Sequence, residues 1–302
     1  MAENSESGGG DMIRGSCLCR GVAWEIKEPL ELMTHCHCSM CRKAHGSAYA
    51  TYVAGPAGGF RWVVGEELVK RYESSPGTRR PFCSRCGSVV PGEPHDGRVF
   101  MPAGNLDDDP GARPMAHIFV DSKAPWNEIT DNVPSFEGFP PGWPAPDVDR
   151  PAPAPASREG ALRGSCLCGG IVFEVSGDFQ GIVKCHCSRC RKARSAAHAN
   201  NLFIRGPDFR WLQGEELVER YKVADAKRFT NAFCRICGSI VPRGDLGQDP
   251  MGIPAGSLDS DPGVGERVDI FTGSKAPWYE ITDDLPQFEG APGPSVVRTL
   301  NR

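Results

Sequence analysis

The chain has no apolar run long enough to cross a bilayer, which excludes a membrane-spanning helix. It also has no excess of basic residues: 34 lysines and arginines face 38 aspartates and glutamates, for a net charge of −4 and a pI near 6.0. No global positive field therefore draws it to nucleic acid or to an anionic membrane. Long helical periodicity is missing too, which leaves short strands and turns as the building material. Residues 1–11 are polar and glycine-rich and contain no apolar leader segment. They are expected to be a disordered tail on a soluble, cytoplasmic protein.

What the chain does have is 14 cysteines in 302 residues. In a reducing compartment such a count points to metal ligation rather than disulfides, and close C-x-C pairs seldom bridge each other without strain. The cysteines fall into two ordered sets. Arg14-Gly15-Ser16-Cys17-Leu18-Cys19, Cys36-His37-Cys38-Ser39-Met40-Cys41-Arg42-Lys43 and Phe82-Cys83-Ser84-Arg85-Cys86-Gly87-Ser88 make the first. Arg163-Gly164-Ser165-Cys166-Leu167-Cys168, Cys185-His186-Cys187-Ser188-Arg189-Cys190-Arg191-Lys192 and Phe233-Cys234-Arg235-Ile236-Cys237-Gly238-Ser239 make the second. The late loops Met101–Asp107 and Ile253–Asp259 and the Ser-Lys-Ala-Pro-Trp segments ending at Trp126 and Trp278 also recur, so the chain is a tandem duplication.

The boundaries follow: a first zinc domain over 12–138, a proline-rich extended spacer over 139–160, a second zinc domain over 161–292 and a tail over 293–302. Strands are expected at 22–26, 48–53, 60–64 and 68–72, with Gly55-Pro56 stopping the second of these. The fold class is mainly β, two tandem domains of short antiparallel strands. Trp126 and Trp278 are expected in the core.

Seven thiols per copy divide naturally as four plus three. Cys17, Cys19, Cys83 and Cys86, repeated as Cys166, Cys168, Cys234 and Cys237, would close a tetrahedral structural zinc site that ties an early turn to a distant knuckle. Cys36, Cys38 and Cys41, with Cys185, Cys187 and Cys190, would leave one corner of a zinc open for chemistry. Alternatively His37 and His186 complete these sites as fourth ligands, and both sites are then purely structural. A nucleic-acid-binding knuckle is a further alternative, disfavoured by the acidic balance.

The ordered set G-S-C-x-C, C-H-C-x2-C-R-K, F-C-x2-C-G-S and S-K-A-P-W resembles the glutathione-dependent formaldehyde-activating enzyme family, which includes centromere protein V. The resemblance spans nearly all of both copies. It implies a β-tent fold, two zinc ions per copy and thus four for the fourteen cysteines, glutathione as co-substrate, and carbon–sulfur lyase chemistry on a thiol–aldehyde adduct. A small thiol or aldehyde is then the partner. The competing class is a non-catalytic tandem zinc-binding module; recruitment of the fold to another electrophile or a biosynthetic step is a third.

On the lyase reading Cys36, Cys38, Cys41, Cys185, Cys187 and Cys190 carry the chemistry, with His37 and His186 as proton carriers. Arg42, Lys43, Arg191 and Lys192 would offset site charge or pair with glutathione carboxylates. The copies differ just after these motifs: Gly46-Ser47 and Tyr49 become Ser195-Ala196 and His198, and Arg194 replaces His45. Because the family keeps G-S there, the first copy is expected to carry more of any activity.

Overall fold

The computed structural model describes residues 12–143, 158–227, 229–244 and 249–293. The expected tail over 1–11, most of the proline-rich spacer and residues 294–302 lie outside the described residues. In the first copy the elements are β1 (Met12–Ser16), β2 (Ala23–Lys27), β3 (Glu31–Cys36), α1 (Ser39–His45), β4 (Ala50–Pro56), β5 (Phe60–Val64), β6 (Val69–Ser75), β7 (Thr78–Cys83), β8 (Arg98–Pro102), β9 (Ala116–Ile118) and β10 (Ser135–Phe136). The second copy repeats them as β11 (Leu162–Ser165), β12 (Val172–Val175), β13 (Ile182–Cys185), α2 (Ser188–Arg194), β14 (Ala199–Ile204), β15 (Phe209–Gln213), β16 (Val218–Lys222), β17 (Thr230–Cys234), β18 (Met251–Pro254), β19 (Glu266–Ile270) and β20 (Gln287–Phe288).

Each copy builds the same three sheets. In the first they are β1-β2-β5, β10-β9-β3-β4-β8 and the hairpin β6-β7. The strands expected near 22–26, 60–64 and 68–72 are present as β2, β5 and β6. The five-stranded sheet corrects the expectation of antiparallel strands alone: β3 runs parallel to β9, and β9 parallel to β10. The long excursion between β3 and β9 supplies the crossover that parallel pairing needs. A second correction concerns Gly55-Pro56: they do not lie beyond a strand ending at Val53 but are the last two residues of β4, with Pro56 opposite Arg98. Edge and terminal positions are where a strand tolerates proline.

Alternation dictates which side chains enter the core. Along β2, Trp24 and Ile26 are buried while Ala23 and Glu25 are only partly covered. Trp24 lies so close over β1 that a Cβ on Gly15 would stand 2.4 Å from the indole; Gly164 meets Phe173 in the same way. Trp126 and Trp278 are in the core as expected, and one hydrophobic cluster contains residues of both copies, from Ile13 through Trp126 to Phe173 and Trp278. The copies therefore share a core instead of sitting apart on a spacer. At the start of the expected spacer, Phe139 packs edge-on against Phe119, with ring centroids 4.9 Å apart, and Trp143 stacks on Phe139.

Candidate metal centres

The four-thiol sets assemble as their spacing requires. Cys17 and Cys19 occupy the turn after β1, Cys83 ends β7, and Cys86 follows one tight turn later. The ligand sulfurs of all four lie within 4.8 Å of one another, as do those of Cys166, Cys168, Cys234 and Cys237. Sulfur separations are 3.4 Å for Cys17–Cys19, 3.7 Å for Cys19–Cys83, 3.4 Å for Cys166–Cys168 and 3.8 Å for Cys168–Cys234. Four sulfurs at zinc–thiolate bond length stand about 3.8 Å apart on a tetrahedron, so donor type and spacing both fit zinc. Backbone amides already point at the sulfurs: Val22 N–H donates to Cys17 at 3.3 Å and Ile171 N–H to Cys166 at 3.2 Å. The knuckle glycines are required twice over. Gly87 and Gly238 have φ of 77° and 73°, and a Cβ on them would strike the Phe233 and Phe82 rings of the opposite copy.

The three-thiol sets are built on a strand end and a helix start. Cys36 closes β3, Cys38 is the N-cap of α1, and Cys41 sits in its first turn. The Cys41 N–H donates to the Cys38 sulfur at 3.4 Å, a capping bond in which sulfur replaces the usual side-chain oxygen. Gly46 ends the helix in the left-handed region and returns its N–H to Arg42 O. The second copy repeats this with Cys185, Cys187 and Cys190, where Ser195 takes the left-handed position. No helical periodicity announces a helix this short; its signals are the cap and the stop. Within each set the thiols fall within 4.8 Å of one another, which also fits zinc, and among the described residues no fourth side-chain donor joins them.

Cys38 accepts from Cys36 and Cys41, which holds its pKa well below the thiol range, and the same bonding from Cys185 and Cys190 takes Cys187 down to about 3. Sequence reasoning missed a residue that helps: Arg80 on β7 places Nη1 3.5 Å from the Cys41 sulfur. Burial disfavours its charge, but Cys41, Tyr52 and Cys38 outweigh that and keep the guanidinium protonated. Its counterpart Asn231 donates instead to Cys86 O in the other copy. In the second set burial lowers Arg194 to about 10, still charged, against the raising charges of Cys190 and Cys185, and its Nη2 donates to Asn201 Oδ1 at 3.2 Å. No cysteine motif marks Arg80, because it arrives from a hairpin distant in sequence.

His37 and His186 do not join the thiols. His37 Nε2 donates to His117 Nδ1 at 2.8 Å, and His117 Nε2 donates to Asp131 at 3.0 Å. His186 Nε2 donates to Asp269 at 2.6 Å. The Nδ1 atoms of both are buried without a partner, but neither histidine comes within the 4.8 Å grouping of its three sulfurs, which speaks against the fourth-ligand alternative. Burial, with His117 and nearby cations, pushes His37 down to about 3, so it is a neutral member of a polar cluster between the copies. That cluster includes Tyr49, whose hydroxyl lies 3.3 Å from His198 Nε2, and Lys184, which pairs with Asp269 and Asp283.

The lysines of the two C-R-K motifs also need correcting. Lys43 crosses to the second copy, donating to Ser165 O and Oγ and pairing with Asp259. Lys192 crosses the other way to Ser16 O and Oγ, Asn105 O and Asp107. They are reciprocal ties between copies and are not available to glutathione carboxylates. Arg42 and Arg191 stay beside their thiol sets, with Arg42 Nε and Arg191 Nη1 buried and without a hydrogen-bond partner. Ser47 likewise faces the partner copy, donating to His198 O, while Ala48 N–H donates to Asn200 Oδ1. The differences at 46–49 and 195–198 therefore lie on the seam, and give no ground for assigning activity to the first copy.

Mixed β-sheets carrying paired four-thiol and three-thiol sets in tandem define a duplicated cysteine-rich protein with the makings of metal centres. Residues 12–122 and again 161–274 match the glutathione-dependent formaldehyde-activating enzyme (GFA) family, and the chain belongs to it, with the domain duplicated. No curated protein matches the chain. Among solved structures it is similar to a Rhodobacter sphaeroides protein at 23% identity, over 33% of this chain and 91% of that chain, with a TM-score of 0.27.

Proposed function

We propose that the chain is a zinc-dependent carbon–sulfur lyase that joins and separates glutathione, or a related thiol, and an aldehyde at its three-thiol sets. The observation that carries this reading is the ligand count: three mutually close thiols and no fourth side-chain donor among the described residues. A zinc held there would keep one position open and stabilise an incoming thiol as its thiolate.

The remaining work falls to the chain. Arg80 beside Cys41, and Arg194 in the second copy, supply buried positive charge against the sulfur-borne negative charge. Arg42 Nε and Arg191 Nη1 are unpaired donors for an anionic group of the substrate. In the bond-forming direction the thiol sulfur bonds to the aldehyde carbon and the thiol proton ends on the aldehyde oxygen; the reverse cleaves the same bond. Neither His37 nor His186 joins the three-thiol sets, so no proton transfer is assigned to them.

Exchange NMR on formaldehyde and S-hydroxymethylglutathione at equilibrium tests the reading. Zinc-loaded protein should accelerate exchange above the buffer rate, and Cys41→Ala combined with Cys190→Ala should abolish the acceleration. Exchange at the buffer rate with fully loaded protein would refute it.

A further inference from the structure

We infer that Phe139 governs access to the first three-thiol set, and that Ala291 in the same place leaves the second set open, so that a hydrophilic adduct such as a glutathione conjugate is handled at the second. The inference rests on the proposed reading for its chemistry, but its structural content stands apart.

The two positions correspond through the backbone. Phe119 N–H donates to Gly138 O at 3.4 Å and Phe271 N–H to Gly290 O at 3.2 Å, so the next residues, Phe139 and Ala291, occupy equivalent places. In the first copy Phe139 joins Tyr52, Phe119, Phe136 and Leu167, the last contributed by the second copy, in packing on the cluster that contains Cys36, Cys38 and Cys41. Trp143 stacks behind Phe139. The three thiol residues retain 7%, 6% and 5% of their exposure. In the second copy Tyr52 is replaced by Asn201, Ala291 is exposed, and Cys187 and Cys190 are only partly buried.

Apolar rings over a thiol set do two things. They exclude water, and they oppose entry of a charged tripeptide, whose polar groups would have to be desolvated against carbon. At the second set, where Ala291 and Asn201 replace Phe139 and Tyr52, that cost is smaller although Cys185 itself is buried, and Arg191 and Arg194 lie within the electrostatic reach of Cys187 and Cys190. This reverses the expectation drawn from residues 46–49 and locates the difference between the copies on the strand-end segment after β10 and β20.

Pulse labelling of the zinc-loaded full chain with N-ethylmaleimide, followed by peptide mass mapping, reads access directly. The peptide with Cys185, Cys187 and Cys190 should label at least about tenfold faster than that with Cys36, Cys38 and Cys41, because a covered group reacts only through its open fraction. Phe139→Ala should bring the first peptide to the rate of the second, and Ala291→Phe should slow the second by a similar factor. Ala291 is on the surface, so its substitution remains informative if Phe139→Ala fails to fold. Equal labelling in the wild type, or no slowing in a folded Ala291→Phe protein, would overturn the inference. Exchange NMR separates the two levels: Ala291→Phe should lose most of the acceleration. The predicted labelling pattern without any exchange activity would instead strike the lyase reading alone.

Discussion

Gly256→Ala adds one methyl group to the seam between the copies, and its effect is computable from contacts. Gly256 lies in the turn Ala255–Ser257, where a Cβ would stand 2.4 Å from both Ser47 N and Ser47 O and 2.6 Å from Arg42 O. All three atoms are backbone, so no side chain can swing aside, and the seam must open by about 1 Å to restore ordinary contact. Gly256 is outside the positive-φ glycines. At such an unstrained site alanine would otherwise stabilise by about 0.4–1 kcal/mol through the unfolded chain. Overpacking of a closed core costs about 1–3 kcal/mol, and backbone against backbone belongs at the upper end, about 3 kcal/mol. The atoms displaced belong to the last turn of α1 and to Ser47, two residues beyond it, so the first three-thiol set should be disturbed as well. The mirror substitution Gly104→Ala strikes Ala196 N at 2.2 Å and should disturb the second set. Guanidinium unfolding of the zinc-loaded chain is the assay, with Gly58→Ala as control because its Cβ would meet nothing within 4 Å. A midpoint for Gly256→Ala equal to that of Gly58→Ala would refute close packing of the copies through this seam.

Lys43→Met should destabilise by about 1–3 kcal/mol by removing one charged partner of a buried carboxylate, since Asp259 is 3% exposed but keeps Ser165 Oγ and Arg163; the exchange rate per folded molecule should be unchanged, whereas a glutathione-binding role would lower it. Cys83→Ser should collapse near-UV circular dichroism much as chelation does, while Cys41→Ser leaves the fold and loses only the first set's metal. Burial lowers His45 to about 4 from 6.5, so the unfolded chain binds a proton that the folded chain refuses, and stability falls by up to about 3 kcal/mol as pH drops from 6.5 to 4. His45→Gln should flatten that slope in pH-dependent unfolding. Glu266, raised by burial to about 7, works in the other direction: its folded form keeps a proton that the unfolded form loses above 4.5, so its contribution declines as pH rises towards 7. Glu266→Gln should remove that decline.

The duplication, the sorting of fourteen cysteines into four-thiol and three-thiol sets and the mainly β class were all legible in the chain. The reason is that C-x-C and C-x2-C spacings fix sulfur positions through a few local torsions, whatever surrounds them. Alternation in β2, β5 and β6 is local in the same sense. What the sequence left open is decided by contacts between distant residues. Lys43 meets Asp259 across 216 positions and Lys192 meets Asn105 across 87, so motif residues that read as substrate ligands became ties. Arg80 approaches Cys41 only because a hairpin folds back, and β3 pairs parallel with β9 only because the intervening chain returns on one side. The histidines of the C-H-C motifs sit between two ligands in sequence yet face the other way, because successive side chains of an extended chain point to opposite sides. That Phe139 stands where the second copy has Ala291 is written in the sequence; that Phe139 packs on the cluster holding Cys36, Cys38 and Cys41 is decided only by the tertiary structure, because the segment after β10 must first fold back onto β9.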